Sequence, residues 1–265
     1  MIPVKQSFAD LDTMRIFYRE IGDGPVLLLL HGGWMTGESN WGATYQELAT
    51  QFRVISPDHR GHGQTNNPDL GFGSYDSLAR DMIKFCQVIG IDQQPLSVMG
   101  HSSGGLISLH MSVFQPDLIS RQVLIGISRF IGLSDQFKTG MQQMFYTPDY
   151  RHPPSMGRYV YERPLNSLAL WQMHRKTPWH TLLRQAWPMW IKPLQLQSDD
   201  YARIAARSLV VCGTRDEFVT VEEAGDLSRH IPNADFMPVE GRDHLFPVEE
   251  PELLLRYTLP FLLGK

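Results

Sequence analysis

The chain has 265 residues, of which 42% are hydrophobic and 20% are charged. This length and composition suit about one folded domain with a sizeable core, and they exclude a disordered or fibrous protein. The formal net charge of −4 excludes a chain-wide basic field that would bind nucleic acid or an anionic membrane. The longest purely apolar run, Val26–Leu30, is far shorter than a membrane span, and the N-terminus has no signal-peptide core, so a cytoplasmic protein is expected.

Strand and helix patterns alternate along most of the chain, beginning with a predicted N-terminal hairpin. Runs that are apolar at every position predict strands buried on both faces, and apolar residues three or four positions apart predict helices. The predicted strands are, in chain order, Phe8–Asp12, Met14–Glu20, Val26–Leu30, Phe52–Ser56, Pro95–Met99, Arg121–Ile127, Leu209–Cys212 and Asp235–Val239. The predicted helices are Tyr75–Ile89, Gly104–Phe114, Glu222–His230 and Pro251–Leu263. Strands that alternate with helices indicate βαβ units, so the predicted fold class is α/β with a mostly parallel central sheet.

This alternation of strands and helices is interrupted between residues 131 and 205. Four of the six tryptophans lie in that segment together with seven prolines, and prolines at such density cut helices short. The βα pattern resumes at Leu209 as though nothing intervened. Residues 131–205 are therefore predicted to form a helical cap inserted between two core strands, and residues 1–130 and 206–265 to form the core.

The aromatic side chains of the cap bear on the choice of substrate. We predict a substrate pocket lined by Trp171, Trp187 and Trp190, and the alternative for each of them is that it fastens the cap to the core. Basic residues outnumber acidic ones in the cap, which favours an anionic or electron-rich substrate, although solvated helix faces explain the same balance.

The most specific motif is the run Gly100–Gly104, which reads Gly-His-Ser-Ser-Gly between a predicted strand and a predicted helix. A chain that turns from strand into helix in so few residues needs small residues two positions to either side of the central one. Centring the turn on Ser103 would put His101 where a small residue is needed. Ser102 is therefore the predicted nucleophile at the tip of the turn.

With this elbow the sequence resembles the alpha/beta hydrolase family, over nearly the whole chain outside the cap. His31–Trp34 follows the third predicted strand and resembles the oxyanion loop of that family, and Asp58–Gly63 resembles its D-x-R-G-x-G loop. The resemblance implies helices on both faces of the sheet. It also implies that a backbone N–H group of Gly33 or Trp34, together with that of Ser103, forms the oxyanion hole.

The same resemblance implies that the acid and the histidine follow the serine along the chain. His244 lies after the last predicted strand and before the closing helix, which is the family's position for the base. Asp216 follows the strand Leu209–Cys212, three residues after a glycine, which is the usual position of the acid. The neighbouring Glu217 remains the alternative acid.

No metal site is expected. Cys86 and Cys212 each lie in an apolar stretch and form no CxxC pair. An aspartate and two histidines lie within Asp58–Gly63, but the glycines and the arginine of this loop match a structural turn rather than a set of metal ligands. The chemistry that the resemblance implies requires no cofactor.

Ser102, His244 and Asp216 together imply a serine hydrolase. His244 would remove the proton of Ser102, which attacks a carbonyl carbon, and water would then hydrolyse the acyl-enzyme. The expected partner is a small-molecule carboxylic ester or lactone, and the sequence gives no indication of the oligomeric state. A serine at the elbow argues against dehalogenases and epoxide hydrolases, whose nucleophile is an aspartate. The alternatives are a carbon–carbon bond hydrolase or a perhydrolase on the same triad, or a slow-turnover small-molecule receptor.

Overall fold

A computed structural model describes residues 1–67, 71–144, 174 and 176–265. Eight strands in these residues form one sheet, and they are β1 (Lys5–Asp10), β2 (Arg15–Ile21), β3 (Val26–Leu30), β4 (Arg53–Pro57), β5 (Leu96–His101), β6 (Ile119–Ile125), β7 (Arg207–Gly213) and β8 (Ala234–Val239). Their spatial order is β1-β2-β4-β3-β5-β6-β7-β8. Strand β2 is antiparallel to both β1 and β4, and the remaining neighbours are parallel. The mostly parallel sheet that the sequence predicts is therefore confirmed.

Helices connect these strands. In the described residues they are α1 (Gly37–Trp41), α2 (Tyr45–Leu48), α3 (Tyr75–Val88), α4 (Ser103–Phe114), α5 (Asp135–Met144), α6 (Trp179–Trp190), α7 (Ser198–Ala202), α8 (Val221–His230), α9 (Phe246–Glu249) and α10 (Pro251–Leu262). Several begin at side-chain caps. The Ser74 hydroxyl accepts a hydrogen bond from the Ser77 N–H before α3, and the Thr220 hydroxyl accepts one from the Glu223 N–H before α8.

Two apolar clusters lie on opposite faces of the sheet. Strand β3 contributes side chains to both clusters, which explains why its sequence is apolar throughout. Leu28 and Leu30 belong to one cluster, and Leu27 and Leu29 belong to the other. All four side chains are fully buried, because successive residues of a strand point to opposite faces and both faces are covered. Helices α3, α4 and α8 pack on the first face, and α1, α2 and α10 pack on the second.

Three helices, α5, α6 and α7, fall within the predicted cap, whereas Trp171 lies outside the described residues. Pro188 lies inside α6 and does not end it, contrary to the expectation that prolines break helices here. It stands two residues before the end of the helix, where the missing N–H removes a single hydrogen bond.

Within the described ranges, no helix has the length and apolar character that crossing a bilayer would require.

Candidate active site

The three predicted catalytic residues lie at the carboxyl ends of parallel strands. Ser102 follows β5, Asp216 follows β7 and His244 follows β8. Ser102 and His244 line one cavity at this edge of the sheet. Most of the other side chains that line it are apolar, and they include Met35, Ile131, Phe137, Trp190, Phe218, Val219 and Leu245.

Ser102 stands at the tip of a strained turn between β5 and α4. Its φ is +52°, a region that side chains other than glycine rarely adopt. A Cβ atom at Gly100 would lie 2.5 Å from the carbonyl oxygen of Gly104, and one at Gly104 would overlap the carbonyl oxygen of Leu30. The two glycines therefore let strand and helix approach closely enough to hold Ser102 in this conformation. Its own N–H donates to the carbonyl oxygen of Ile125 at 2.8 Å, which ties the turn to the neighbouring strand.

His244 is held by Asp216. The distance from Nδ1 of His244 to Oδ2 of Asp216 is 2.7 Å, and both side chains are buried. The second carboxylate oxygen of Asp216 accepts the N–H groups of Phe218 and Val219 at 2.9 and 3.0 Å. Because this carboxylate is fixed at both oxygens, it keeps the His244 proton on Nδ1, so Nε2 is the ring nitrogen that can accept a proton.

The alternative acid, Glu217, has a different position. Its Oε2 accepts the backbone N–H of His244 at 3.2 Å, so it holds the main chain of the histidine and not its ring. Burial lowers the pKa of His244, but the charge and hydrogen bond of Asp216, helped by the charges of Glu217 and Asp243, outweigh burial and raise this pKa overall. The imidazole is consequently a stronger proton acceptor than a free histidine.

The loop after β3, where the sequence predicts the oxyanion hole, is ordered by His31. The Nδ1–H of His31 donates to the carbonyl oxygen of Gly32 at 2.7 Å. In a trans peptide the C=O and N–H groups point in opposite directions, so this bond turns the N–H of Gly33 away from His31. Gly33 and Ser103 both line the cavity, and Ser103 is the first residue of α4, where backbone N–H groups have no partner within the helix.

Trp34, the other predicted oxyanion donor, uses its amide elsewhere. The Trp34 N–H donates to Nε2 of His62 at 3.2 Å, and the Trp34 carbonyl accepts Nε2–H of His174 at 2.6 Å. Trp34 has a φ of +44°, so a strained peptide is clamped from both sides. This arrangement favours Gly33 over Trp34 as the partner of Ser103, because an N–H group bound to His62 is not available to a substrate oxygen.

The predicted pocket tryptophans have different positions. Trp190 lines the cavity, its ring meets that of Trp34 edge to face at 4.7 Å, and its Cζ2 lies 2.8 Å from the point where a Cβ of Gly33 would stand. Trp187 is buried in the apolar cluster that contains α4 and is not part of the cavity wall. Trp171 lies outside the described residues.

Two residues that sequence reasoning did not single out also shape the site. Gly126 follows β6 with a φ of +63°, and a Cβ there would lie 3.0 Å from Nδ1 of His244. His101 donates from Nε2 to the carbonyl oxygen of His244 at 2.9 Å. The position of Gly126 directly after a strand that neighbours the acid-bearing strand could have indicated its role. No local pattern identifies His101, because its partner lies 143 positions away.

Five buried histidines near the site make the fold sensitive to acid; they are His31, His59, His62, His101 and His174. Burial lowers the pKa of each from an ordinary 6.5, to about 4 for His59 and for His174 and to about 3 for His101. A lowered folded-state pKa means that stability is intact above pH 6.5 and is lost as the pH falls towards the folded value.

We therefore expect the free energy of unfolding to fall between pH 7 and pH 5, with about 2 kcal/mol of the loss due to His174 alone. Urea unfolding followed by tryptophan fluorescence at the two pH values measures this loss. The matched control is His174→Gln, which cannot titrate but keeps a donor near the Trp34 carbonyl. It should lose about 2 kcal/mol less than the unmodified protein over the same interval. An equal loss in both proteins would contradict the prediction.

The chain is similar in sequence to a known protein family and to several known proteins. The sequence profile of the alpha/beta hydrolase family matches residues 27–256. The 2-hydroxy-6-oxo-6-(2'-aminophenyl)hexa-2,4-dienoic acid hydrolase of Metapseudomonas resinovorans is 25% identical over 264 residues, which are 97% of this chain and 90% of that protein. Uncharacterized proteins of Mycobacterium bovis and Mycobacterium tuberculosis are 31% identical over 128 residues, so this chain spans only 35% of their length.

Solved structures share the fold at lower identity. The meta-cleavage product hydrolase CumD of Pseudomonas fluorescens IP01 superposes with a TM-score of 0.79 at 19% identity, covering 97% of both chains. Est816, an N-acyl homoserine lactone degrading enzyme, superposes with a TM-score of 0.77 at 22% identity, covering 96% of this chain and 100% of that one. These likenesses concern the fold, since proteins of different activity share it.

Proposed function

This chain belongs to the alpha/beta hydrolase family, and we propose on that premise that it is a serine hydrolase that cleaves a small carboxylic ester or lactone. The observation that carries the proposal is that Ser102, at a strained tip, shares a cavity with His244, whose Nδ1 is held by Asp216. A nucleophile, a base and an orienting carboxylate on three separate strand ends are the parts that acyl transfer needs.

In the proposed mechanism, Nε2 of His244 takes the proton of the Ser102 hydroxyl as its oxygen attacks the carbonyl carbon. The N–H groups of Gly33 and Ser103 stabilise the negative oxygen of the tetrahedral intermediate. His244 then protonates the leaving alcohol, and the acyl group stays on Ser102. A water molecule, deprotonated by His244, releases the acid and restores the serine. The charge of Asp216 stabilises the imidazolium that forms in each half of the cycle.

The lining of the cavity favours a neutral substrate over an anionic one. Among the described residues that line it there is no Lys, Arg, Asp or Glu. A substrate carboxylate buried against the described part of this wall would lose its hydration without a Lys or Arg side chain there to replace it. The lining therefore supports an ester or lactone, rather than a dienoic acid like the one that the Metapseudomonas relative hydrolyses.

A carbon–carbon bond hydrolase on the same triad remains the second candidate, because that relative matches almost the whole chain. The two candidates differ in the substrate that they need. A carbon–carbon hydrolase should turn over a 2-hydroxy-6-oxodienoate faster than any simple ester, and the proposed ester hydrolase should do the reverse. Parallel assays on both substrate types decide between them.

The test of the proposed function is a series of p-nitrophenyl esters from two to eight acyl carbons, with lactones of matching size. Each methylene that the apolar wall accepts contributes about 0.8 kcal/mol, so kcat/KM should rise roughly fourfold per carbon over the first few carbons and then fall.

Trp190→Ala should move the optimum to longer acyl chains, because this ring lies on the cavity wall. The control, Trp187→Ala, should lower the melting temperature and leave the optimum in place. Turnover below about one per hour on every ester and lactone would refute the proposal and favour a receptor.

A further inference from the structure

The indole N–H of Trp190 is buried without a hydrogen-bond partner among the described residues. The side chain is 5% exposed and lines the cavity beside Ser102. A buried N–H group that has lost its water and gained no acceptor destabilises the free protein. An acceptor atom brought in by a ligand would remove that penalty.

A second polar feature lies in the same wall. The hydroxyl oxygens of Tyr75 and Ser103 are 3.3 Å apart, both side chains are buried, and both line the cavity. Burial raises the pKa of Tyr75, so its phenol keeps its proton. Two hydroxyl groups carry two protons, and the bond between them uses one. The pair therefore has one O–H left to donate.

Both of these polar features lie beside Gly33. The point where a Cβ of Gly33 would stand lies 3.3 Å from the Ser103 hydroxyl oxygen and 3.3 Å from Cε2 of Trp190, the ring atom bonded to the indole nitrogen. Both groups thus flank Gly33, whose N–H is a proposed oxyanion donor. The remainder of the described wall is largely apolar, so these polar groups stand out within it.

We propose that Trp190 and the Tyr75–Ser103 hydroxyl pair receive a second oxygen atom of the substrate, close to the carbonyl that is attacked. This inference rests on the proposed function and narrows its substrate class. The preferred substrates are esters or lactones whose acyl part carries a keto, hydroxyl or ether oxygen within a few bonds of the scissile carbonyl. A site built to hydrogen-bond such an oxygen discriminates against the analogue that has a methylene in its place.

The experiment compares methyl 3-oxopentanoate with methyl pentanoate, which have the same chain length and differ at one carbon. The readout is the ratio of their kcat/KM values, divided by the ratio of their rates of hydroxide-catalysed hydrolysis. We expect this corrected ratio to fall about tenfold in Trp190→Phe, which keeps an aromatic ring and removes the indole N–H, and severalfold in Tyr75→Phe. Trp187→Phe, on the same helix but outside the cavity wall, should leave the ratio unchanged.

The ratio compares two substrates on one protein preparation, so any loss of folded enzyme in a variant cancels. A corrected ratio that is the same in the unmodified protein, Trp190→Phe and Tyr75→Phe would overturn the inference and leave the proposed function standing. A fall in Trp187→Phe as large as in Trp190→Phe would also overturn it. Absence of turnover on both esters by the unmodified protein would overturn the proposed function, and this inference with it.

Discussion

Replacing Ser102 with alanine is expected to lower kcat for ester hydrolysis by about a million-fold, because every step of the proposed cycle passes through its hydroxyl. Ser103→Ala is the matched control. It removes a neighbouring hydroxyl and keeps the backbone N–H that is the proposed oxyanion donor, so kcat on a simple ester should fall by no more than about tenfold. The contrast between adjacent serines separates a nucleophile from a wall residue.

The measurement is kcat on p-nitrophenyl butyrate, with each variant first shown to be folded by circular dichroism. Reaction with an organophosphonate gives a second readout. Its mass should add once to the unmodified protein and to Ser103→Ala, and not at all to Ser102→Ala. Residual activity of Ser102→Ala above about a thousandth of the original value, or labelling of Ser102→Ala, would refute the assignment of the nucleophile.

Asp216→Asn is expected to lower kcat by roughly ten-thousand-fold. The asparagine amide can place a donor against Nδ1 of His244, which would move the ring proton to Nε2 and leave no base for Ser102. Loss of the carboxylate charge should also lower the pKa of His244, since this charge opposes the effect of burial. At low pH, kcat/KM falls because the base becomes protonated. The pH at which this fall occurs should therefore be lower in the variant.

The control for this prediction is Glu217→Gln. Its carboxylate holds the backbone N–H of His244, and the glutamine oxygen can still accept that bond. We expect kcat to change by less than about tenfold and the tautomer of the ring to stay the same. Pre-steady-state and steady-state rates of both variants, measured across pH 5 to 9, test these expectations. A larger loss in Glu217→Gln than in Asp216→Asn would exchange the roles of the two acids.

The central strands were predictable because burial on both faces leaves a plain mark on the sequence. Val26–Leu30 has the bounds that the apolar run predicts. Helices α1 and α2 between β3 and β4 were not predicted, since helices of five and four residues are too short for apolar periodicity to show. The Thr36 cap of α1, which accepts the Ser39 N–H, is the readable signal that was passed over.

Within the candidate site, residues tied to a local pattern were predictable and residues tied to distant partners were not. The elbow around Ser102 needs glycines at fixed spacing, so the sequence itself contains the constraint. The amide of Trp34 was predicted as an alternative to that of Gly33 in the oxyanion hole, because nothing nearby shows that His62, 28 positions away, takes it. Trp187 and Trp190 are three positions apart on one helix, and only the packing of that helix decides which of them reaches the cavity.

The clamp on the Trp34 peptide has a consequence for how this chain can diverge. His174 and Trp190 belong to the predicted cap, yet one holds the Trp34 carbonyl and the other packs against the Trp34 ring. An insertion that only shaped the pocket could be exchanged or shortened whenever the substrate changed. Here such an exchange would also loosen the loop that we propose to stabilise the developing negative charge. New specificities are therefore more accessible through changes that spare these two positions than through replacement of the whole segment.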